Sequence, residues 1–154
     1  MSDAVRIVTV SATPTAVVAQ ATNWRDFPQL WRELLAEVWA FLRASDLAAG
    51  RNIMLYKDDL PHVEVGAEVS GSFAGNGRVV TSSLPAGRAA MTVLRGEPSP
   101  DGLARAHAAV LDRCSASGHE LTGTRWEIYA HWLDDQDPAR FETEVYWLLA
   151  PPVP

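Results

Sequence analysis

The sequence predicts an α+β fold in which the element order strand, helix, strand, strand occurs twice. Two observations predict it. Two helical segments with apolar residues at helical spacing are separated by segments typical of β-strands, and each helix is followed by two such segments. We therefore expect one domain over 1–154, built from duplicated β-α-β-β units (about 1–74 and 75–154). The strands should pair antiparallel, with the helices on one face of the sheet.

The first half contains the more clearly amphipathic helix. Residues 5–10 form the first predicted strand, and 12–26 are expected to be irregular because prolines interrupt them. A helix is predicted from Phe27 to near Gly50, since its apolar residues follow the i, i+3, i+4, i+7 spacing. They are Leu30, Trp31, Leu34, Leu35, Val38, Phe41 and Leu42. Two further strands are predicted, a short one over 53–57 and a strictly alternating one over 62–69.

The second half follows the same order after a glycine-rich loop at 71–77. The predicted strands cover 77–84, 88–94, 125–132 and 141–149, and the predicted helix starts near Pro100. The apolar side of this helix is expected to carry Leu103, Val110, Leu111 and Cys114, with His107 between them at helical spacing.

Composition and charge exclude several classes of protein. With 47% apolar and 21% charged residues, the chain of 154 residues has the composition of a globular domain. A net charge of -6 argues against nucleic acid as a partner, because nucleic-acid binding requires a basic surface. The single cysteine excludes an internal disulfide. No apolar run approaches the roughly 20 residues of a membrane span, and no signal peptide is recognisable. We expect a cytoplasmic protein without a membrane partner.

Six tryptophans are more than the packing of a small core usually needs. Large aromatic side chains suit a pocket for a flat or aromatic ligand. Trp24, which precedes the first helix, and Trp31, on its first turns, are better candidates for lining a groove than Trp39.

Glutamates alternate with tyrosines on the last two predicted strands. Glu127 and Tyr129 share one face of their strand, and Glu144 and Tyr146 share one face of the next. If the strands are neighbours, these four side chains are expected to lie together, with Glu64 on the polar face of a third strand. A carboxylate among aromatic rings suits a cationic or polarisable ligand. The alternative is that all five are solvent-facing positions of a half-buried sheet.

His107 has two interpretations. It lies on the apolar face of its helix, so it is either a hydrogen-bonded core histidine or a ligand-binding residue. The other histidines (His62, His119 and His131) lack metal-ligand spacing, and we expect neither a metal nor a cofactor.

The second half resembles the GyrI-like family. The resemblance is carried by three segments in order: Leu84-Pro85-Ala86-Gly87-Arg88, Gly123-Thr124-Arg125-Trp126-Glu127-Ile128-Tyr129 and Thr143-Glu144-Val145-Tyr146-Trp147. It implies a pseudo-twofold pair of β-α-β-β units with a ligand groove between the halves. It also implies a ligand-contacting glutamate at Glu127, with Glu144 as a second candidate. The family includes effector-binding domains of AraC-type and MerR-type multidrug regulators. This sequence begins at its first strand, so we expect it not to act as a one-component transcription factor.

Three functions remain open at this point. The first is a stand-alone small-molecule-binding protein for an aromatic or hydrophobic ligand, with cations among the candidates. The second is a hydrolase that opens cyclopropanoid natural products, in which Glu127 and Glu144 would divide acid and base catalysis. The third is an interaction protein that inhibits gyrase. The sequence leaves the choice between monomer and homodimer open.

Overall fold

A computed structural model describes residues 4–130 and 137–152, which form eight β-strands and two α-helices. The strands are β1 Arg6–Val10, β2 Thr13–Ala21, β3 Ala49–Tyr56, β4 His62–Val69, β5 Val79–Leu84, β6 Gly87–Arg95, β7 Leu121–Tyr129 and β8 Glu142–Leu149. The helices are α1 Phe27–Arg43 and α2 Pro100–Ser117, and a short 3-10 helix covers Pro138–Arg140. The predicted α+β class is confirmed.

All eight strands belong to one antiparallel sheet with the order β1-β6-β8-β7-β3-β4-β2-β5. This order is unchanged when β1 to β4 are exchanged with β5 to β8 and the list is reversed. A duplicated unit produces such an order. The first strand of each half pairs with the other half, since β1 pairs with β6 and β5 pairs with β2.

The repeated unit has one more strand than the sequence predicted. Thr13–Ala21 forms β2, so the expectation that 12–26 is irregular is wrong for these residues, and each half is ββαββ. Pro14 is tolerated because it is the second residue of the strand, close to where proline is normally accepted. The first helix ends at Arg43 instead of near Gly50, because β3 already begins at Ala49.

Two short connections force the sheet to curl. β1 and β2 stand first and seventh in the strand order, and β6 and β5 stand second and eighth. In a flat sheet, six strand spacings would separate each pair by about 29 Å. Yet only two residues connect β1 to β2 and β5 to β6, and three Cα–Cα steps span at most about 11 Å. The two edges of the sheet therefore meet at this end.

Both helices pack on the outer face of the curled sheet. α1 contacts β2, β4 and β5, and α2 contacts β6 and β8. Leu34, Val38 and Leu42 of α1 are buried in one cluster, and Ala106, Val110 and Cys114 of α2 in another. The prediction for α2 is wrong for Leu111, which is 37% exposed, because Ala106 lies on the packed face instead. The central strands β3 and β7 lie between the two helices.

The inner face is filled by its own side chains. Val17, Leu55, Leu84, Ala89 and Trp126 come from five different strands and form one buried cluster. This cluster brings together strands from both ends of the sheet, as the curl requires. The inner face therefore buries apolar side chains without a covering helix.

Gly66 provides a test of the packing between β2 and β4. A Cβ atom at this position would lie 1.8 Å from the carbonyl oxygen of Ala16. We expect Gly66→Ala to lower the free energy of unfolding by about 1–3 kcal/mol, because the two strands must separate. Gly71→Ala, where a Cβ meets nothing within 4 Å, is the matched control. Equal urea midpoints for the two variants would contradict this packing.

Candidate functional site

Glu127 is a buried carboxylate at the centre of the outer face. It lies on β7, where it pairs with Met54 of β3 and Val145 of β8. Only 3% of its surface is exposed. A charged group at such a position requires partners, because burying an unpaired charge is costly.

Three side chains surround the Glu127 carboxylate. The hydroxyl of Tyr56 lies 2.9 Å and that of Tyr129 2.5 Å from Oε1. His107 of α2 places its Nε2 atom 2.6 Å from Oε2. The indole Nε1 of Trp147 lies 2.9 Å from Nδ1 of the same imidazole. We call Glu127, Tyr56, Tyr129, His107 and Trp147 the Glu127 cluster.

The hydrogen bonds determine which groups carry protons. An indole N–H can only donate, so Nδ1 of His107 must accept the bond from Trp147. The proton of the neutral imidazole therefore sits on Nε2 and is donated to Glu127. The Glu127 carboxylate therefore accepts three hydrogen bonds. Among the described residues, no lysine or arginine forms an ion pair with it.

The buried tyrosines remain protonated well into the alkaline range. Burial, followed by the negative charge of Glu127, raises the pKa of Tyr56 and of Tyr129 well above the usual value. Both hydroxyls therefore act as hydrogen-bond donors to Glu127 at neutral pH.

Aromatic side chains extend from the cluster to the surface. The ring of Trp24 lies 5.5 Å from that of Tyr56, and Phe27 lies 5.6 Å from Tyr56. Trp24 is 46% exposed, and its Nε1 donates to the carbonyl oxygen of Asp59. Trp24 thus connects the buried cluster with solvent.

α1 contributes a second apolar wall. Trp39 donates its indole N–H to Asn52 of β3, which is the register partner of Tyr129. Trp31 and Leu35 lie at i−8 and i−4 from Trp39, so they share its side of the helix. All three are partly buried against the core. Trp31 is therefore half-buried on this side of α1, and its ring contacts the guanidinium of Arg32.

Glu144 and Tyr146 lie on the inner face of the sheet, away from the Glu127 cluster. In the register of β7 and β8, Glu144 pairs with Ile128 and Tyr146 pairs with Trp126. The expectation that the two glutamates and their tyrosines lie together is therefore wrong. A shift of one residue in register moves every side chain of a strand to the opposite face of the sheet. Twelve residues connect β7 to β8, so the alternation within each strand does not fix the register between them.

Glu144 belongs to an ion-pair network at the mouth of an inner cavity of about 220 Å³. Nη1 of Arg51 lies 2.8 Å from Glu144, and Nε of Arg51 lies 3.0 Å from Glu68. Tyr146 donates its hydroxyl proton to Glu144 over 2.6 Å and stacks on Trp126 at 5.1 Å. Burial and this hydrogen bond raise the pKa of Tyr146.

Glu64 also lies on the inner face. Its carboxylate is 2.6 Å from Nζ of Lys57 and accepts a hydrogen bond from Ser82. The expectation of a third glutamate beside Glu127 is therefore wrong, because the strand register places Glu64 opposite Leu55, an inner-face residue.

Sequence reasoning missed three residues of this site: Tyr56, Arg125 and Trp147. Arg125 lies on the same strand face as Glu127, and a single arginine in a strand carries no signal of burial, yet it is only 8% exposed. Trp147 appeared as an ordinary residue on the apolar face of its strand. Tyr56 ends β3, and the polar residue that shares its face, Asn52, lies outside the strand predicted over 53–57.

Two further features are absent from the described parts of the chain. No three histidine, cysteine, aspartate or glutamate side chains come together as ligands for a metal ion. Neither helix has the length and apolar composition to cross a bilayer.

Comparison with known proteins identifies the family. The family model for the GyrI-like small molecule binding domain matches residues 3–150, almost the whole chain. The chain belongs to the GyrI-like family. It is a small-molecule-binding domain by family membership, as the resemblance implied. None of the curated proteins matches this GyrI-like domain.

Solved structures show the same fold at low sequence identity. The C-terminal domain of EcmrR has a TM-score of 0.76 at 16% identity, with 95% of this chain and 96% of that chain covered. SAV2435 bound to tetraphenylphosphonium has a TM-score of 0.68 at 13% identity, with 95% and 93% covered. A hydrolase encoded by lin2189 from Listeria innocua has a TM-score of 0.60 at 10% identity, with 96% and 92% covered.

The burial of the tyrosines can be measured by titration. The chain has three tyrosines, and the pKa of each is raised. At about pH 10.5, where an exposed tyrosine is mostly ionised, we expect the native domain to show little tyrosinate absorbance. Unfolding in urea at that pH should expose all three tyrosines to solvent and produce the full tyrosinate absorbance.

The same shifts determine how stability depends on pH. Because the folded-state pKa values are raised, the unfolded chain ionises first, and the free energy of unfolding falls as pH rises above about 10. Native tyrosinate absorbance equal to that in urea would contradict the buried arrangement.

Proposed function

We propose that this GyrI-like domain binds a hydrophobic aromatic cation at the Glu127 cluster, in the space between α1 and α2. The observation that carries the proposal is a carboxylate, 3% exposed, whose three hydrogen-bond partners are two tyrosine hydroxyls and a histidine. Hydrogen bonds spread the negative charge, but they do not cancel it. A positively charged ligand would.

The electrostatic argument follows from burial. A carboxylate removed from water loses solvation that only a nearby opposite charge or good hydrogen bonds can offset. An attraction between unit charges also strengthens as the local dielectric constant falls. A cation placed beside Glu127 therefore gains more from the interaction than it would at a surface glutamate.

The shape of the surroundings supports an aromatic ligand. Trp24, Phe27 and Tyr56 form a continuous aromatic wall on one side, and Trp31 and Trp39 stand on α1. Aromatic faces attract cations as well as other rings. A delocalised cation with aromatic substituents combines both interactions.

A structural relative is consistent with this ligand class. SAV2435, which shares the fold at 13% identity, has been solved with tetraphenylphosphonium, a cation surrounded by four phenyl rings. Tetraphenylphosphonium is therefore a suitable probe for this domain.

The hydrolase alternative requires two carboxylates at one site, and the strand register separates Glu127 from Glu144. Glu127 and Glu144 lie on opposite faces of the sheet, so one substrate cannot contact both. Glu144 is also held by Arg51 and Tyr146. Binding through Glu127 alone requires no second carboxylate.

Calorimetry with tetraphenylphosphonium tests the proposal. We expect micromolar binding by the wild type, weakened about tenfold or more in Glu127→Gln, because the amide keeps the shape and removes the charge. Glu144→Gln is the matched control on the inner face and should bind like the wild type.

A neutral probe of similar shape distinguishes the contribution of ligand charge to affinity from that of ligand shape. Triphenylphosphine oxide should bind the wild type and Glu127→Gln equally, with both variants checked for folding by near-ultraviolet circular dichroism. Unchanged affinity for tetraphenylphosphonium in folded Glu127→Gln would exclude Glu127 from the site.

A further inference from the structure

Arg125 is a buried cation enclosed by aromatic rings. It lies two residues before Glu127 on β7, where its register partners are Tyr56 of β3 and Trp147 of β8. Its guanidinium carbon lies 4.8 Å from the ring centroid of Trp147, 5.4 Å from that of Trp24 and 5.9 Å from that of Tyr56. All three distances are within the range of cation–π attraction. We call these three rings the aromatic cage.

The cage shares its walls with the Glu127 cluster. Tyr56 presents its ring to Arg125 and its hydroxyl to Glu127. Trp147 presents its ring to Arg125 and its indole N–H to His107, which in turn donates to Glu127. The cation in the cage and the carboxylate therefore belong to one continuous site.

Arg125 donates its hydrogen bonds to acceptors on the solvent side of the site. Nη1 donates to Oδ1 of Asp59 over 2.7 Å and to the carbonyl oxygen of Gly123 over 3.0 Å. The side chain of Asp59 is 89% exposed, and the backbone oxygen of Asp59 accepts the indole N–H of Trp24. Arg125, Asp59 and Trp24 together cover the side of the site that faces water.

We propose that Arg125 is a resident cation that a cationic ligand must displace from the aromatic cage, and that it thereby sets the specificity of the site. This inference rests on the proposed function. In the ligand-free domain the guanidinium lies among the three rings and is held there by Asp59. Ligand binding breaks this contact with Asp59 and moves the guanidinium out of the cage into solvent. The ligand cation then takes its place beside Tyr56 and Trp147, near Glu127.

Displacement makes the site selective for bulky aromatic cations. A ligand must interact more favourably with the rings and Glu127 than the guanidinium does, because Arg125 is tethered to the chain and already in place. A small alkylammonium ion contributes only its charge, and it therefore does not displace the guanidinium. A cation with several aromatic substituents also packs against Trp24 and α1, and this added contact allows it to displace the guanidinium.

Removing the resident cation tests the inference. We expect Arg125→Met, which keeps an unbranched apolar side chain, to bind tetraphenylphosphonium about tenfold more tightly than the wild type. Tetramethylammonium, which should not bind the wild type measurably, should bind Arg125→Met. Arg78→Met, at an exposed arginine paired with Glu37, is the matched control and should leave both affinities unchanged.

A second variant avoids changing the central strand. Asp59→Ala removes the exposed acceptor that holds Arg125 and leaves the backbone contact with Trp24 in place. We expect a smaller gain in tetraphenylphosphonium affinity, a few-fold. This variant keeps the test decisive if Arg125→Met fails to fold.

Nuclear magnetic resonance can follow the displacement directly. The Nε–H proton of Arg125 should be shifted by the ring currents of the cage, with its signal assigned by its absence in Arg125→Met. Saturation with tetraphenylphosphonium should move this signal to the position of an exposed arginine.

The outcomes distinguish the two proposals. If Glu127→Gln weakens binding but Arg125→Met and Asp59→Ala do not strengthen it, Arg125 is not a displaced cation and the inference fails alone. An Arg125 signal that stays in place at saturation has the same meaning. If neither the wild type nor any variant binds the cationic probe, both proposals fail.

Discussion

Two connections of two residues each are the constraint on which the rest of this structure depends. They join strands that stand six places apart in the sheet, and the sheet must curl for the chain to reach. Curling creates an inner face that buries its own side chains and an outer face that carries both helices. The central strands β3 and β7 are left between the helices, and this is where the buried carboxylate lies.

The indole of Trp147 has an effect beyond its packing. Because it can only donate, it determines the tautomer of His107, and the tautomer determines that His107 donates to Glu127. Two tyrosines donate to the same carboxylate. The result is a buried carboxylate with three hydrogen-bond partners, next to a guanidinium held among aromatic rings. Both features lie on the same side of the sheet, and the proposed cation site is built from them.

Particular residues show how far the sequence could predict the site. The alternation along β7 placed Glu127 and Tyr129 on one face and Trp126 on the other, and the structure confirms this. The pairing of Glu127 with Glu144 failed because alternation describes one strand at a time. Register between strands depends on the connection and on packing, and a one-residue difference reverses the outcome. The strand at Thr13–Ala21 was missed because Pro14 suggested an interruption.

The sequence by itself determined the α+β class, both helices, most of the strands, the GyrI-like resemblance and the strand face that Glu127 shares with Tyr129. Those features depend on local periodicity or on short motifs, which one chain segment contains completely. Only the tertiary structure decided that Glu144, Tyr146 and Glu64 face inward, and that Tyr56, Arg125 and Trp147 surround the carboxylate. These residues come from separate strands, and only the curl and register of the sheet bring them together.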